Sequence, residues 1–165
     1  MQKLSKYLYY VICFVMFLFM DLTASNYLAV HHHRLGWNNP VFELTYIKNT
    51  GAAFNLLNNS TELLIILSAV ALTLLCVYIV RHIKGIKMLE LFYIAILSAG
   101  IAGNMHERII YGFVRDFFRL NFVNFPVFNI SDILINIGVI FLIVIIILKK
   151  SKWLYTFVKM MKEKG

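Results

Sequence analysis

The stretch LLIILSAVALTLLCVYIV, residues 63–80, runs eighteen residues without a charged side chain. A helix of that length rises about 27 Å at about 1.5 Å per residue, close to the roughly 30 Å of a bilayer's hydrocarbon core. It is therefore read as a transmembrane helix. Just ahead of it, Asn59-Ser60-Thr61-Glu62 has the form of a helix start, because a capping side chain at Asn59 with Glu62 three residues on would satisfy exposed amides. The whole 165-residue chain agrees with this solvent, being 61% hydrophobic with a mean hydropathy of +0.76. That is too apolar for an ordinary soluble domain of this size.

Further spans lie on both sides of this helix. Residues 7–30 form an apolar run interrupted only by Asp21, residues 89–105 another, and residues 133–148 a fourth. Lys3 and Lys6 followed by Leu22-Thr23-Ala24-Ser25 also fit a cleavable signal peptide, but three further spans make a retained first helix more economical. Eleven of the sixteen Lys and Arg residues fall near the N-terminus, in the 81–87 loop or in the 149–165 tail. By the positive-inside rule these segments face the cytoplasm, with both termini inside and residues 31–60 and 106–132 outside. The net charge of +8 is thus a membrane-topology signal and gives no reason to expect nucleic acid. Trp153, Tyr155 and Phe157 in the basic tail suit the interface, with anionic lipid as partner. Cys13 and Cys76 sit within apolar runs and suggest neither a disulfide framework nor a metal cluster.

Within the first external segment, residues 41–47 alternate partly and are rich in β-branched and aromatic side chains, so they read as a short strand at the membrane surface. His31-His32-His33 is read as a solvated interfacial turn rather than a metal site, since consecutive residues do not share a helix face. The chemistry concentrates in residues 100–132, GIAGNMHERIIYGFVRDFFRLNFVNFPVFNISD. Asp116 and Asp132 lie near the ends of hydrophobic segments, where an unpaired charge is costly. Two readings stay open on the residues alone. The pair can act together as acid and base, or Asp132 can be a first-turn acid favoured by the helix dipole and Asp116 a surface partner of Arg115 and Arg119. Asp21 is likewise either a site-supporting acid or a simple cap.

Five motifs in register resemble one family. They are Asp21 near the outer end of the first helix, Lys48-Asn49-Thr50-Gly51-Ala52-Ala53-Phe54, Gly103-Asn104 with Arg108, Val114-Arg115-Asp116-Phe117, and Phe125-Pro126-Val127-Phe128-Asn129-Ile130-Ser131-Asp132. Together they resemble lipoprotein signal peptidase, also called signal peptidase II, over nearly the whole chain. The resemblance implies an all-α polytopic membrane protein, a single domain of four transmembrane helices. A small external β-cradle and a short external helix or loop would complete it.

The activity it implies is that of an intramembrane aspartyl endopeptidase in the bacterial cytoplasmic membrane, active near the outer leaflet. Such an enzyme removes the signal peptide from diacylglyceryl-modified prolipoproteins, just before the lipid-modified cysteine, acting as a monomer with no cofactor and no metal. Asp116 and Asp132 match the family's catalytic aspartates. Asn49, Asn104, Arg108 and Asn129 match polar residues lining its site, and Gly51 would allow a tight turn in the cradle. Arg108 could hold a carboxylate or a lipid phosphate in a bidentate grip. The chain departs from the usual pattern at Leu22 and Ser25, where Gln and Lys are usual, at Glu107 in place of Asp, and at Ser131 in place of Ala. A non-catalytic relative that holds prolipoprotein or an inhibitor without cleaving it is the alternative function.

Overall fold

The structure, a computed structural model, describes residues 3–52 and 56–163, the residues from 150 onward by their backbone alone. Ala53 and Phe54 of the cradle motif lie outside the described residues, as do the side chains of Trp153, Tyr155 and Phe157. The elements in order are α1 Lys3–Leu35, β1 Phe42–Asn49, α2 Thr61–His82, α3 Met88–Tyr111, β2 Val114–Leu120 and α4 Ile130–Glu163. All four helices are long and apolar enough to cross a membrane, α4 over Ile130–Lys149. The helices run past the expected spans, so that residues 31–35, 106–111 and 130–132 of the expected external segments are helical.

Helix α3 is the centre of the bundle and packs against α1, α2 and α4. Of its most apolar stretch 61% of the residues are buried, against 11–17% in the other three helices, which lie on the outside of the bundle. Small residues make this possible. Gly100 lies so near α4 that a Cβ there would fall 2.5 Å from the Ser131 carbonyl oxygen, and Gly138 of α4 meets Leu97 in the same way. Close backbone approach is the main source of helix adhesion in lipid, where a hydrophobic drive between helices is lacking. Two apolar clusters fill the rest, one around Ile79, Ile83, Ile86, Leu91 and Ile94, the other around Ile96, Ala99 and Leu134.

At one end of the bundle Lys6 of α1 donates to the carbonyls of Ile83 (3.0 Å), Lys84 (3.1 Å) and Ile86 (2.6 Å), closing the turn between α2 and α3. Lys149 pairs with Glu90 at 3.0 Å at the same end. At the other end β1 and β2 form a two-stranded antiparallel sheet. Pairing runs from Phe42 opposite Leu120 to Asn49 opposite Val114, with a one-residue slip between Leu44 and Ile47. The first strand thus covers most of the stretch expected from the sequence. The second was not expected as a strand, although Val114, Phe117, Phe118 and Leu120 give it the composition of one.

Two local expectations are corrected. His31, His32 and His33 are not a separate turn but part of α1, His32 and His33 in its last turn. The Nδ1 groups of His31 and His32 lie 2.9 and 3.2 Å from the carbonyls of Tyr27 and Leu28, four residues back, and supply donors to carbonyls near the helix end. Asn59 does not cap α2. Ser60 holds the N-cap position without a side-chain bond, and Asn59 sits at φ 59°. The asparagines are engaged within the loop instead, where Thr50 Oγ1 donates to Asn58 Oδ1 at 2.5 Å and the Asn59 N–H donates to the same oxygen at 3.0 Å.

Candidate active site

Strand alternation sends every second side chain of β2 toward one face, and Val114 and Asp116 share that face with Ile47 and Asn49 of β1. The slip between Leu44 and Ile47 sets this register: Asp116 lies opposite Ile47, and Asn49 is its diagonal neighbour. Asn49 Nδ2 donates to Asp116 Oδ2 at 2.9 Å. Asp132 arrives on a different element, at the third residue of α4. There the Asp132 N–H donates to Asn129 Oδ1 at 2.8 Å while the Asn129 N–H donates to Asp132 Oδ2 at 3.1 Å. This reciprocal pair is a capping box with an aspartate in place of glutamate. Asp132 is thus a first-turn acid and a cavity residue at once.

Two asparagines join the two carboxylates. Asn129 Nδ2 donates to Asp116 Oδ1 at 2.9 Å and to Asn104 Oδ1 at 3.0 Å, and Asn104 Nδ2 donates to Asp132 Oδ1 at 2.9 Å. Each carboxyl group therefore accepts two hydrogen bonds within one connected network. Both line a cavity of about 750 Å³ that continues along the apolar side chains of Phe125, Val127, Ile133, Ile137 and Ile140. Asp116 is 1% exposed, and burial pushes its carboxyl up to about 7. The charge of Asp132 adds to that rise, while the amides of Asn49 and Asn129 and the Arg108 charge oppose it. At neutral pH Asp116 is then divided between its charged and neutral forms, the condition a general acid or base needs.

The surface ion-pair reading of Asp116 does not hold. Arg115 is turned to Glu107 and Arg119 to Glu43, the latter at 3.5 Å. Among the described residues Arg108 makes no ion pair. It donates to the carbonyls of Asn104 (3.2 Å) and Gly51 (2.8 Å), tying the loop after β1 to α3. Its buried Nε has no partner among the described residues. Gly51 serves through this carbonyl and through its N–H, which donates to Asn49 Oδ1 at 2.9 Å. Its backbone is not left-handed; among the described glycines only Gly36 and Gly112 have positive φ. The bend is an Asx turn set by the Asn49 side chain.

Asp21 lies behind Asp132 rather than in the cavity. It is 1% exposed, and its Oδ2 accepts from Ser131 Oγ at 2.6 Å while its Oδ1 has no partner among the described residues. Gly103 is closed in by the same groups, since a Cβ there would collide with Asp21 Oδ2 and Ser131 Oγ. Sequence reasoning missed this knot, and also the buried contact of Arg115 with Glu107. The signal available was that Glu107 and Ser131 are two of the positions where the sequence departs from the pattern it resembles.

Four apolar helices, and two carboxyl groups joined by a polar network in one cavity with apolar walls, define the class: a polytopic membrane protein with a candidate site at one end. The family model for Signal peptidase (SPase) II matches residues 12–148. The chain belongs to the signal peptidase II family. It is 38% identical over 106 residues to the lipoprotein signal peptidase of Streptococcus thermophilus, covering 64% of this chain and 69% of that one. The lipoprotein signal peptidase of Nostoc punctiforme is 31% identical over 147 residues, or 87% and 91% of the two chains. Among solved structures, a bacterial membrane enzyme determined by the in meso method at 2.3 Å superposes with a TM-score of 0.73 at 29% identity, over 86% of this chain and 88% of the other. A second, at 1.9 Å, gives 0.69 at 28% identity over 83% and 91%. The chain is accordingly a protease of lipoprotein processing and a multi-pass bacterial membrane protein.

Proposed function

We propose that this chain is an intramembrane aspartyl endopeptidase that cuts diacylglyceryl-modified prolipoproteins just before the lipid-modified cysteine, with Asp116 and Asp132 as the reacting pair. The observation that carries the reading is the network through Asn129, which holds both carboxyl groups at one cavity with apolar walls. Those walls suit an acyl chain and an apolar signal peptide, and the polar end receives the scissile amide.

Two neighbouring carboxyl groups cannot both ionise cheaply, so the pair holds one proton. Asp116, pushed up to about 7, holds it first and donates a hydrogen bond to the scissile carbonyl oxygen. Charge on Asp132 sits at the N-terminus of α4, where the helix dipole favours it. Asp132 takes a proton from water as the water oxygen bonds to the carbonyl carbon, and the π pair of the carbonyl moves to its oxygen, which takes the proton of Asp116. The tetrahedral intermediate then loses its C–N bond, the amine leaves with a proton from Asp132, and Asp116 recovers its own. The products are a signal peptide with a free carboxylate and a lipoprotein with a free amino group on its cysteine. Both chain termini and the 81–87 loop face the cytoplasm in this reading, and the cavity opens near the outer leaflet.

The test is cleavage of a lipidated prolipoprotein by Asp116→Asn and Asp132→Asn, each nearly isosteric and unable to exchange the proton. Each is expected to lose about 10²–10⁴-fold in kcat, the scale of general acid–base catalysis. The double variant should be scarcely slower than either single one, because the pair works as a unit. Near-normal cleavage by either single variant would remove the assignment.

A further inference from the structure

Arg115 directly precedes Asp116 and leaves the opposite face of β2, away from the cavity. It is 7% exposed and meets Glu107 of α3, itself 4% exposed, through both arms of its guanidinium: Nε to Oε2 at 2.6 Å and Nη2 to Oε1 at 2.5 Å. The same Nη2 donates to Asn26 Oδ1 of α1 at 2.9 Å, and the guanidinium carbon lies 4.3 Å from the centroid of the Tyr111 ring. One side chain thus ties the strand that carries Asp116 to two membrane helices. Ser25, the residue before Asn26, brings no charge to this corner, so the positive charge comes from the strand.

We propose that Arg115 is a positioning residue for the reaction, its clamp on Glu107 and Asn26 fixing β2 so that Asp116 stays in register with Asn129 and Asp132. The proposal rests on Asp116 and Asp132 being the reacting pair. A two-stranded sheet is marginal by itself and needs an anchor on the body that carries the second carboxyl group. A buried ion pair is a poor means of adding stability, since an apolar pair of similar volume often does as well. What the planar fork supplies, and neither a lysine nor an apolar pair reproduces, is fixed orientation.

The experiment compares Arg115→Lys, which keeps the charge and removes the fork, with the double variant Glu107→Gln/Arg115→Met, which leaves no unpaired buried charge. For each, kcat and KM on a lipidated prolipoprotein are measured beside thermal unfolding. Arg115→Lys should fold, keep KM within about twofold and lose at least about tenfold in kcat, in line with the roughly hundredfold cost of a misplacement of about 1 Å. The double variant should unfold near the wild-type temperature and still show the low kcat. A purely structural pair predicts the reverse, with kcat recovering as the unfolding temperature does. Wild-type kcat in a stable double variant, or unfolding of Arg115→Lys, would overturn the proposal. Asp116→Asn and Asp132→Asn in the same assay separate the two readings. If those variants cleave, the reacting pair is wrong, and if they do not while both Arg115 variants keep kcat, only the positioning role fails.

Discussion

Asp116 carries its own pH signature. Its ordinary value is 3.8 and its folded value about 7, so the folded chain binds a proton that the unfolded chain releases. A raised carboxyl contributes stability that is complete below the unfolded value and is lost as pH rises through the folded one. Stability should therefore fall between about pH 4 and pH 7 from this group alone. Asp116→Asn removes that dependence. Thermal unfolding in detergent at pH 5 and pH 8 should show the asparagine variant gaining on the wild type as pH increases, while cleavage stays lost. An equal difference at both values would mean that Asp116 is not held against its charge. At the same scale, Arg115 of β2 reaches Asn26 of α1, the residue after Ser25.

Between elements, the junction of α1, α3 and α4 is set by what does not fit. Gly103 leaves room for the Asp21 to Ser131 bond behind Asp132, and a methyl group there would push the first turn of α4 away from α3. Gly103→Ala should destabilise by about 1–3 kcal/mol, the usual cost of overpacking, and reduce cleavage through displaced Asp132. Gly85→Ala is the control, because its added carbon would sit 3.8 Å from the His82 carbonyl oxygen, an ordinary contact. Chemical denaturation and initial rates of both variants decide the matter. Comparable behaviour of the two would show that α3 and α4 yield at this point.

Across the whole molecule, the sheet and cavity lie at one end and Lys6, the 83–87 turn and Lys149 at the other. By the positive-inside rule the end with the short-loop Lys and Arg residues is expected to face the cytoplasm. With Cys76 replaced by serine, a cysteine at Lys84 should resist an impermeant thiol reagent in intact cells, and one at Asn58 should react. The opposite labelling pattern would invert the topology. Cys13 is buried and needs no replacement.

The number of helices was legible in the sequence because each apolar run had to cross a hydrocarbon layer of fixed thickness, a constraint that acts on a segment by itself. So was the gathering of Asn49, Asn104, Asp116, Asn129 and Asp132, through motifs whose order matched a known family. Other features were decided only in three dimensions. The slip between Leu44 and Ile47 puts Asn49 beside Asp116, and a shift of one residue would turn the strand's side chains to its other face. Arg115 could pair with Asp116 or Glu107 as far as its sequence goes, and β2 settled this by sending neighbouring side chains to opposite faces. Asp21 and Ser131 are 110 residues apart in the chain, and their contact exists because Gly103 of α3 leaves room for α1 and α4 to meet there. Segment hydrophobicity is a local property and is written in each run; register and side-chain pairing depend on which backbones meet, and that is fixed only when the helices pack.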